Sequence, residues 1–371
     1  MVAEMVNKAS GVFGEEDLAL LRAFTKFCAL SNRKLEPRIV FQSPLSHLRE
    51  VYFVDQEIVD SMRSWDFDHT NLSEDQLIGL VVAMFDQLGL IHTFGISTEK
   101  LYRFVAEVSK HYHRDVIYHN FRHAFDVTHA LYYYLTEGGV MEMEAYSPLD
   151  AFTNIIAALC HDINHQGYTN TFMSKSDTPF SSLYTSGSIM ETHHASIAIS
   201  ILSNPEFNIL SSLDHNDTKL VWKNIVAIIL ATDPAKDKEY SAKFEALHRE
   251  DAFDPVHDSD HKVLFMCMLM KWSDLCSCTK PFEIAKRWGR LIIEEFFKQG
   301  DEERERGLDV MPLFDRTKVK FVSTQIGFGE NVALPTFELM AKAIPKLAPV
   351  TESLRNNIAT YKELEASGQT E

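Results

Sequence analysis

Asp150-Ala151-Phe152-Thr153-Asn154-Ile155-Ile156-Ala157-Ala158-Leu159-Cys160-His161-Asp162-Ile163-Asn164-His165 decides the reading of this chain. At 100 degrees per residue, Phe152, Ile155, Ile156, Leu159 and Ile163 gather on one side of a helix, and His161 and His165 fall on the other beside Ala157 and Ala158. A solvated face more often carries Lys, Glu or Gln. Small alanines beside two imidazoles and a carboxylate leave room for an ion, and this donor set is typical of zinc and iron sites. Upstream, His119 and His123 repeat the four-residue spacing, with Asn120 and Asp126 in reach. The expectation is that the two histidine pairs meet around metal.

Working outward, helical spacing recurs over Glu74–Leu88, Thr98–His113, His123–Glu137, Pro148–His165, Glu191–Leu202, Thr218–Thr232, His261–Ser277, Pro281–Lys298 and Leu334–Glu365. Ser73 and Ser147-Pro148 are helix starts, because a hydroxyl accepts from free amide hydrogens and proline fits the first turn. Strand-like alternation is scarce, Phe180–Gly187 reads as a loop, and no period repeats. The fold class expected is all-α, one compact multi-helix catalytic domain over 61–371 with its site between helices. Residues 1–60, with a helical stretch Glu15–Leu30, read as an N-terminal extension or linker.

The 371 residues carry a formal charge of -17, which argues against a general affinity for nucleic acid. An anionic small substrate needs positive charge supplied locally, and divalent metal supplies it. Cys28, Cys160, Cys267, Cys276 and Cys278 form no paired framework, which fits free thiols in a reducing compartment. The N-terminus lacks an apolar signal core, and no run of about 18 apolar residues is present. A soluble, cytoplasmic protein without a transmembrane segment is expected. Membrane association through a longer parent chain, a homodimer and further regulatory domains stay open.

Three acids stand apart. Asp274 lies in the apolar stretch 265–274, where a carboxylate is costly to bury unless it pairs with Lys271 or Lys280 or binds a cation. Asp233, before Pro234, reads as a turn or cap. Glu191 opens a helix and suits an outer position about a metal site.

His161-Asp162-Ile163-Asn164-His165-Gln166-Gly167-Tyr168-Thr169-Asn170 resembles HDxxHxGxxN of the class I cyclic nucleotide phosphodiesterases, and Tyr118-His119-Asn120-Phe121-Arg122-His123-Ala124-Phe125-Asp126-Val127 resembles their YHNxxHAxDV. The likeness continues in order through Met190–His194, Ala231–Asp233, Ser273–Leu275, Glu294–Asp301, Asp315-Arg316 and Gln325–Phe328, so it covers roughly 61–362. The resemblance implies that His123, His161, Asp162 and Asp274 hold Zn²⁺, and that Asp162 bridges to Mg²⁺ or Mn²⁺ with mostly water ligands. It further implies in-line attack on a 3′,5′-cyclic nucleotide by a metal-bridging hydroxide, with His119 as general acid on the 3′-oxygen. His165, Glu191 and Thr232 would hold metal-bound water. Tyr118, Ile292, Gln325 and Phe328 would line the base pocket, the glutamine amide reading the purine and the phenylalanine stacking on it.

The implied product is a nucleoside 5′-monophosphate, which ends a cyclic nucleotide signal. Cyclic AMP and cyclic GMP are not separated by these residues. Where many members carry Asn, this chain has Ser277, followed by Cys278 where proline is frequent, and Gln166 replaces a common proline. A nucleotide-monoester hydrolase of the His-Asp type leaves Gln325-Ile326-Gly327-Phe328 without a task. A silent nucleotide sensor leaves His119 without one.

Overall fold

A computed structural model describes residues 55–176, 182 and 187–368. The expected Glu15–Leu30 helix, Cys28 and most of the expected loop Phe180–Gly187 lie outside the described residues. Fifteen α-helices follow in order among them: α1 Gln56–Ser61, α2 Glu74–Gln87, α3 Leu90–Thr93, α4 Thr98–His111, α5 Phe121–Leu135, α6 Pro148–Cys160, α7 Asn170–Lys175 and α8 Ile189–Ser203. The remainder are α9 His215–Ala231, α10 Asp237–Arg249, α11 Ser259–Asp274, α12 Phe282–Glu305, α13 Phe321–Phe328, α14 Leu334–Ala343 and α15 Ala348–Ala366. No strand is present among the described residues, and the all-α class stands.

Helix α6 is the axis of the bundle. It is buried from Asp150 to Cys160 on every side, packed between α5 and α9. An all-round apolar helix belongs in the middle of a globule, so the two-faced reading of this stretch is corrected. Ala157 and Ala158 are fully buried in the main core. They let neighbouring helices approach.

Helix starts are written locally. Ser73 and Ser147 each form a capping box, with Gln76 and Asp150, and Pro148 occupies the first turn of α6. Asn120 caps α5 by accepting from the Arg122 amide.

The ends differ more from expectation. α6 stops at Cys160, and the stretch expected to be its last turn becomes a tight turn in which Asn164 takes a left-handed φ of 63°. The expected run 334–365 is two helices, because Ile344, which precedes Pro345, is extended at ψ 82°. α10 was not expected, since Phe244 is its one buried side chain and apolar periodicity has nothing else to register.

Candidate active site

Three segments far apart in sequence converge beside the N-terminus of α5. His123 projects from its first turn, His161 and Asp162 from the turn that ends α6, and Asp274 from the last residue of α11. His123 Nε2 lies 3.4 Å from Asp162 Oδ2 and 3.2 Å from Asp274 Oδ1. His161 Nε2 lies 3.1 Å and 3.3 Å from the same two oxygens. The alternative partners of Asp274 are engaged elsewhere: Lys271 pairs with Asp237 and donates to the Ala231 carbonyl, and Lys280 is buried against Trp65, His129 and Asp126.

The chemistry of this set fits a metal ion. His161 Nδ1 donates to the Ala158 carbonyl at 2.8 Å, which leaves Nε2 facing the two carboxylates. That Nε2 is buried without a hydrogen-bond partner. One ligand atom from each of His123, His161, Asp162 and Asp274 lies within 4.8 Å of the others. Two imidazoles and two carboxylates are a donor set for a divalent transition metal. The histidines are closed off, at 2% and 1% side-chain exposure, while Asp162 and Asp274 are 13% and 25% exposed. The cluster therefore opens to solvent on its carboxylate side.

Asp162 has a second face. Its Oδ1 points away from the cluster to His194, 3.8 Å from a buried Nε2 that has no hydrogen-bond partner. His194 Nδ1 is committed to the Ile163 carbonyl at 2.6 Å. Sequence reasoning quoted His194 in a motif without giving it a task.

His119 stands just outside this cluster. It precedes the cap of α5 and does not share a helical turn with His123, so that expectation is corrected. Its Nδ1 donates to Glu295 Oε1 at 2.5 Å, and Glu295 Oε2 accepts from the Tyr118 and His119 amides at 2.7 and 3.2 Å. Burial alone would lower the His119 pKa, but the Glu295 carboxylate outweighs it and raises the value to about 9. Burial works on Glu295 in the opposite sense, and the His119 charge overcomes it to hold the carboxyl at about 2. His119 is thus an imidazolium at neutral pH.

His165 stacks on His119 with centroids 4.2 Å apart, yet is in the opposite state. Burial and then the His119 charge lower its pKa to about 3. Since Gly167 N–H donates to His165 Nδ1 at 2.9 Å, the neutral ring carries its proton on Nε2.

The remaining expected residues are placed around this centre. The Tyr118 ring lies 4.8 Å from His119 and 4.6 Å from His123. Glu191, in the first turn of α8, accepts from Asn170 through both oxygens at 3.0 Å, and burial raises its pKa to about 7. Thr232 is not brought into the cluster by any hydrogen bond; its hydroxyl donates to Ile229 on its own helix. Asp233 caps the next turn as expected and accepts from Ser188 at the start of α8. Ile292 lies on α12 one turn before Glu295, and Gln325 and Phe328 lie on α13, where the Gln325 amide rests against Gly289 of α12.

A model of the 3′,5′-cyclic nucleotide phosphodiesterase family matches residues 118–354, which include every residue of the cluster. The chain belongs to this family. Among relatives of the chain, the 3′,5′-cyclic-nucleotide phosphodiesterase regA of Dictyostelium discoideum is 35% identical over 311 residues, covering 83% of this chain and 39% of that protein. The high affinity cGMP-specific 3′,5′-cyclic phosphodiesterase 9A of Mus musculus is 32% identical over 350 residues, covering 92% of this chain and 62% of that one. The chain therefore spans less than two thirds of either relative. The solved structure of LmjPDEB1 in complex with IBMX superposes at a TM-score of 0.79 with 31% identity, over 86% of this chain and 98% of that one.

Glu295 lies within the Glu294–Asp301 motif, whose resemblance assigns it no role. Its one sequence signal is a carboxylate on the buried face of α12, which demands a partner.

Proposed function

We propose that this chain hydrolyses 3′,5′-cyclic nucleotides to nucleoside 5′-monophosphates, ending a cyclic nucleotide signal. The observation that carries the reading is the four-ligand cluster of His123, His161, Asp162 and Asp274 lying beside an imidazolium held by Glu295. Those four residues would hold Zn²⁺, and the outward Oδ1 of Asp162 would reach a second ion, Mg²⁺ or Mn²⁺. Bound metal supplies charge neutralisation at the phosphate and a water of lowered pKa.

The residues of the chain do the rest. His119 gives its Nε2 proton to the 3′-oxygen as the bond to phosphorus breaks, since an alkoxide is a poor leaving group until protonated. Glu295 holds the ring through Nδ1, so Nε2 is the atom left to act. His165 offers Nε2–H, His194 an Nε2 lone pair and Glu191 a carboxyl that titrates near neutrality. These groups, with Thr232, orient water at the exposed carboxylate side. Tyr118, Ile292, Gln325 and Phe328 bind the purine, with stacking giving affinity and the amide giving direction.

The catalytic domain would span 61–371 and the extension 1–60, a reading supported by Met62 and Trp65 in the main core. No helix among the described residues is long and apolar enough to cross a membrane. A cytoplasmic setting fits the free Cys160, Cys267, Cys276 and Cys278.

The test is release of 5′-AMP and 5′-GMP from the cyclic nucleotides with magnesium, before and after chelation. Turnover lost on chelation and restored by metal is expected. Tight nucleotide binding without turnover, or activity on monoesters alone, would sink the reading.

A further inference from the structure

Two glycines on α12 make close approaches, and the nature of what they approach separates their roles. A Cβ on Gly300 would meet the Phe314 carbonyl oxygen at 2.0 Å, so that glycine lets two backbones touch. A Cβ on Gly289 would meet only the end of one side chain within its three nearest contacts. Those are Gln325 Oε1 at 2.8 Å, Cδ at 3.0 Å and Nε2 at 3.2 Å. Gly289 lies inside a 24-residue helix, where glycine weakens the helix relative to alanine. The backbone there has no left-handed φ that would require glycine. What the missing side chain provides is a seat for the Gln325 amide.

The amide has no other anchor. No described residue hydrogen-bonds the Gln325 side chain, and its polar neighbour Asn357 donates instead to the Cys278 and Lys280 carbonyls at 2.9 and 2.8 Å. Its position is therefore set by shape. Gly289 and Ile292 share one face of α12 at a three-residue spacing. The seat puts the amide on the same helix face as Ile292, one turn away.

We propose that Gly289 is a specificity-determining residue of the base pocket, which acts by letting the Gln325 amide lie against α12. This rests on the reading of Gln325 as a base-binding residue. A methyl at position 289 displaces the amide, and because the amide ends a flexible side chain the fold absorbs the change while the pocket does not.

The experiment is Gly289→Ala in the whole chain, with and without Gln325→Ala. The expected result with Gln325 present is a KM for cyclic AMP and cyclic GMP raised about tenfold, with kcat within about twofold of the parent. The ratio of the two KM values shifts as well, and calorimetric affinity for 5′-AMP and 5′-GMP weakens in step. The Tm does not fall, because alanine is the better helix former. In the Gln325→Ala background, Gly289→Ala changes KM by less than about twofold, which is the signature of one contact. A raised Tm with unchanged KM and product affinity would overturn the proposal and leave Gly289 a packing glycine. The same KM increase without Gln325 would overturn it too. If the parent chain neither turns over nor binds either nucleotide, the function proposed above fails first and this assignment falls with it.

Discussion

The two His-x-x-x-His pairs look alike in sequence and are mirror images in the fold. The upstream pair straddles the beginning of a helix: His119 lies before the Asn120 cap, and His123 within the first turn of α5. The downstream pair straddles an end: His161 follows the last residue of α6, and His165 lies beyond it, past the left-handed Asn164. The inner members, His123 and His161, turn into the carboxylate cluster, and the outer members, His119 and His165, stack on each other. The proposed ligands thus come from helix or helix edge, where the backbone is rigid. The proposed proton-handling groups come from irregular chain, which can aim a ring in directions a helix does not offer.

Substitutions that remove one side of this pairing test it. The largest effect belongs to the ligand side. Asp274→Ala should abolish turnover and lower the metal content of the purified protein, read by elemental analysis. Full metal occupancy in this variant would remove Asp274 from the ligand set.

Next comes the outer side. His119→Ala should lower kcat by about 10²–10⁴ while metal content stays at the level of the parent. Wholesale loss of metal would mean that the inner and outer histidines do not divide the work.

Glu295→Gln sharpens the comparison through pH. On the proposed mechanism the protonated form of His119 is the working acid, and its population falls as pH rises through its pKa, held at about 9 by Glu295. With glutamine the pKa returns toward the ordinary histidine value, so the alkaline limb of kcat should move to lower pH. Activity at pH 8 should drop about tenfold more than activity at pH 6.5. An unmoved alkaline limb would show that Glu295 is only a packing partner.

The smallest effect is in the turn between His161 and His165. Asn164 donates to His113 Nε2 at 3.1 Å and faces His193 Nε2 at 2.9 Å across its carbonyl oxygen. Asn164→Ala should cost about 1–2 kcal/mol for a left-handed residue, read by denaturant unfolding. Asn164→Gly removes the hydrogen bonds while keeping the backbone free, and should cost less. Equal costs would assign the loss to hydrogen bonds alone.

How much of this could be read from the chain follows from the reach of each interaction. Caps at Ser73, Asn120 and Ser147 act over two or three residues, and the first and last were legible at once. The break at Pro345 was legible in principle, but a long apolar rhythm masked it. Asp274 was legible because a carboxylate in apolar surroundings needs an explanation, and the structure leaves the lysines out of it. Glu295 was only half legible: a carboxylate on the apolar face of α12 asks for a partner, but that partner, His119, is 176 residues away and nothing local names it. The seat at Gly289 was equally silent, because a glycine in a helix announces a cost and not its beneficiary.

The same long reach governs how the site comes into being. His123 and Asp274 are 151 residues apart in sequence, and closing a loop of that length costs on the order of 4 kcal/mol in chain entropy. A fragment shorter than that span does not contain all four residues, so the cluster is complete only where α5, α6 and α11 are docked together. During synthesis the chain cannot form the complete site until Asp274 has left the ribosome. Once formed, the site works as a reversible tie across most of the fold, and free metal in excess of its dissociation constant raises resistance to unfolding by mass action. Metal supply would then bear on the stability of the folded protein as well as on the proposed turnover.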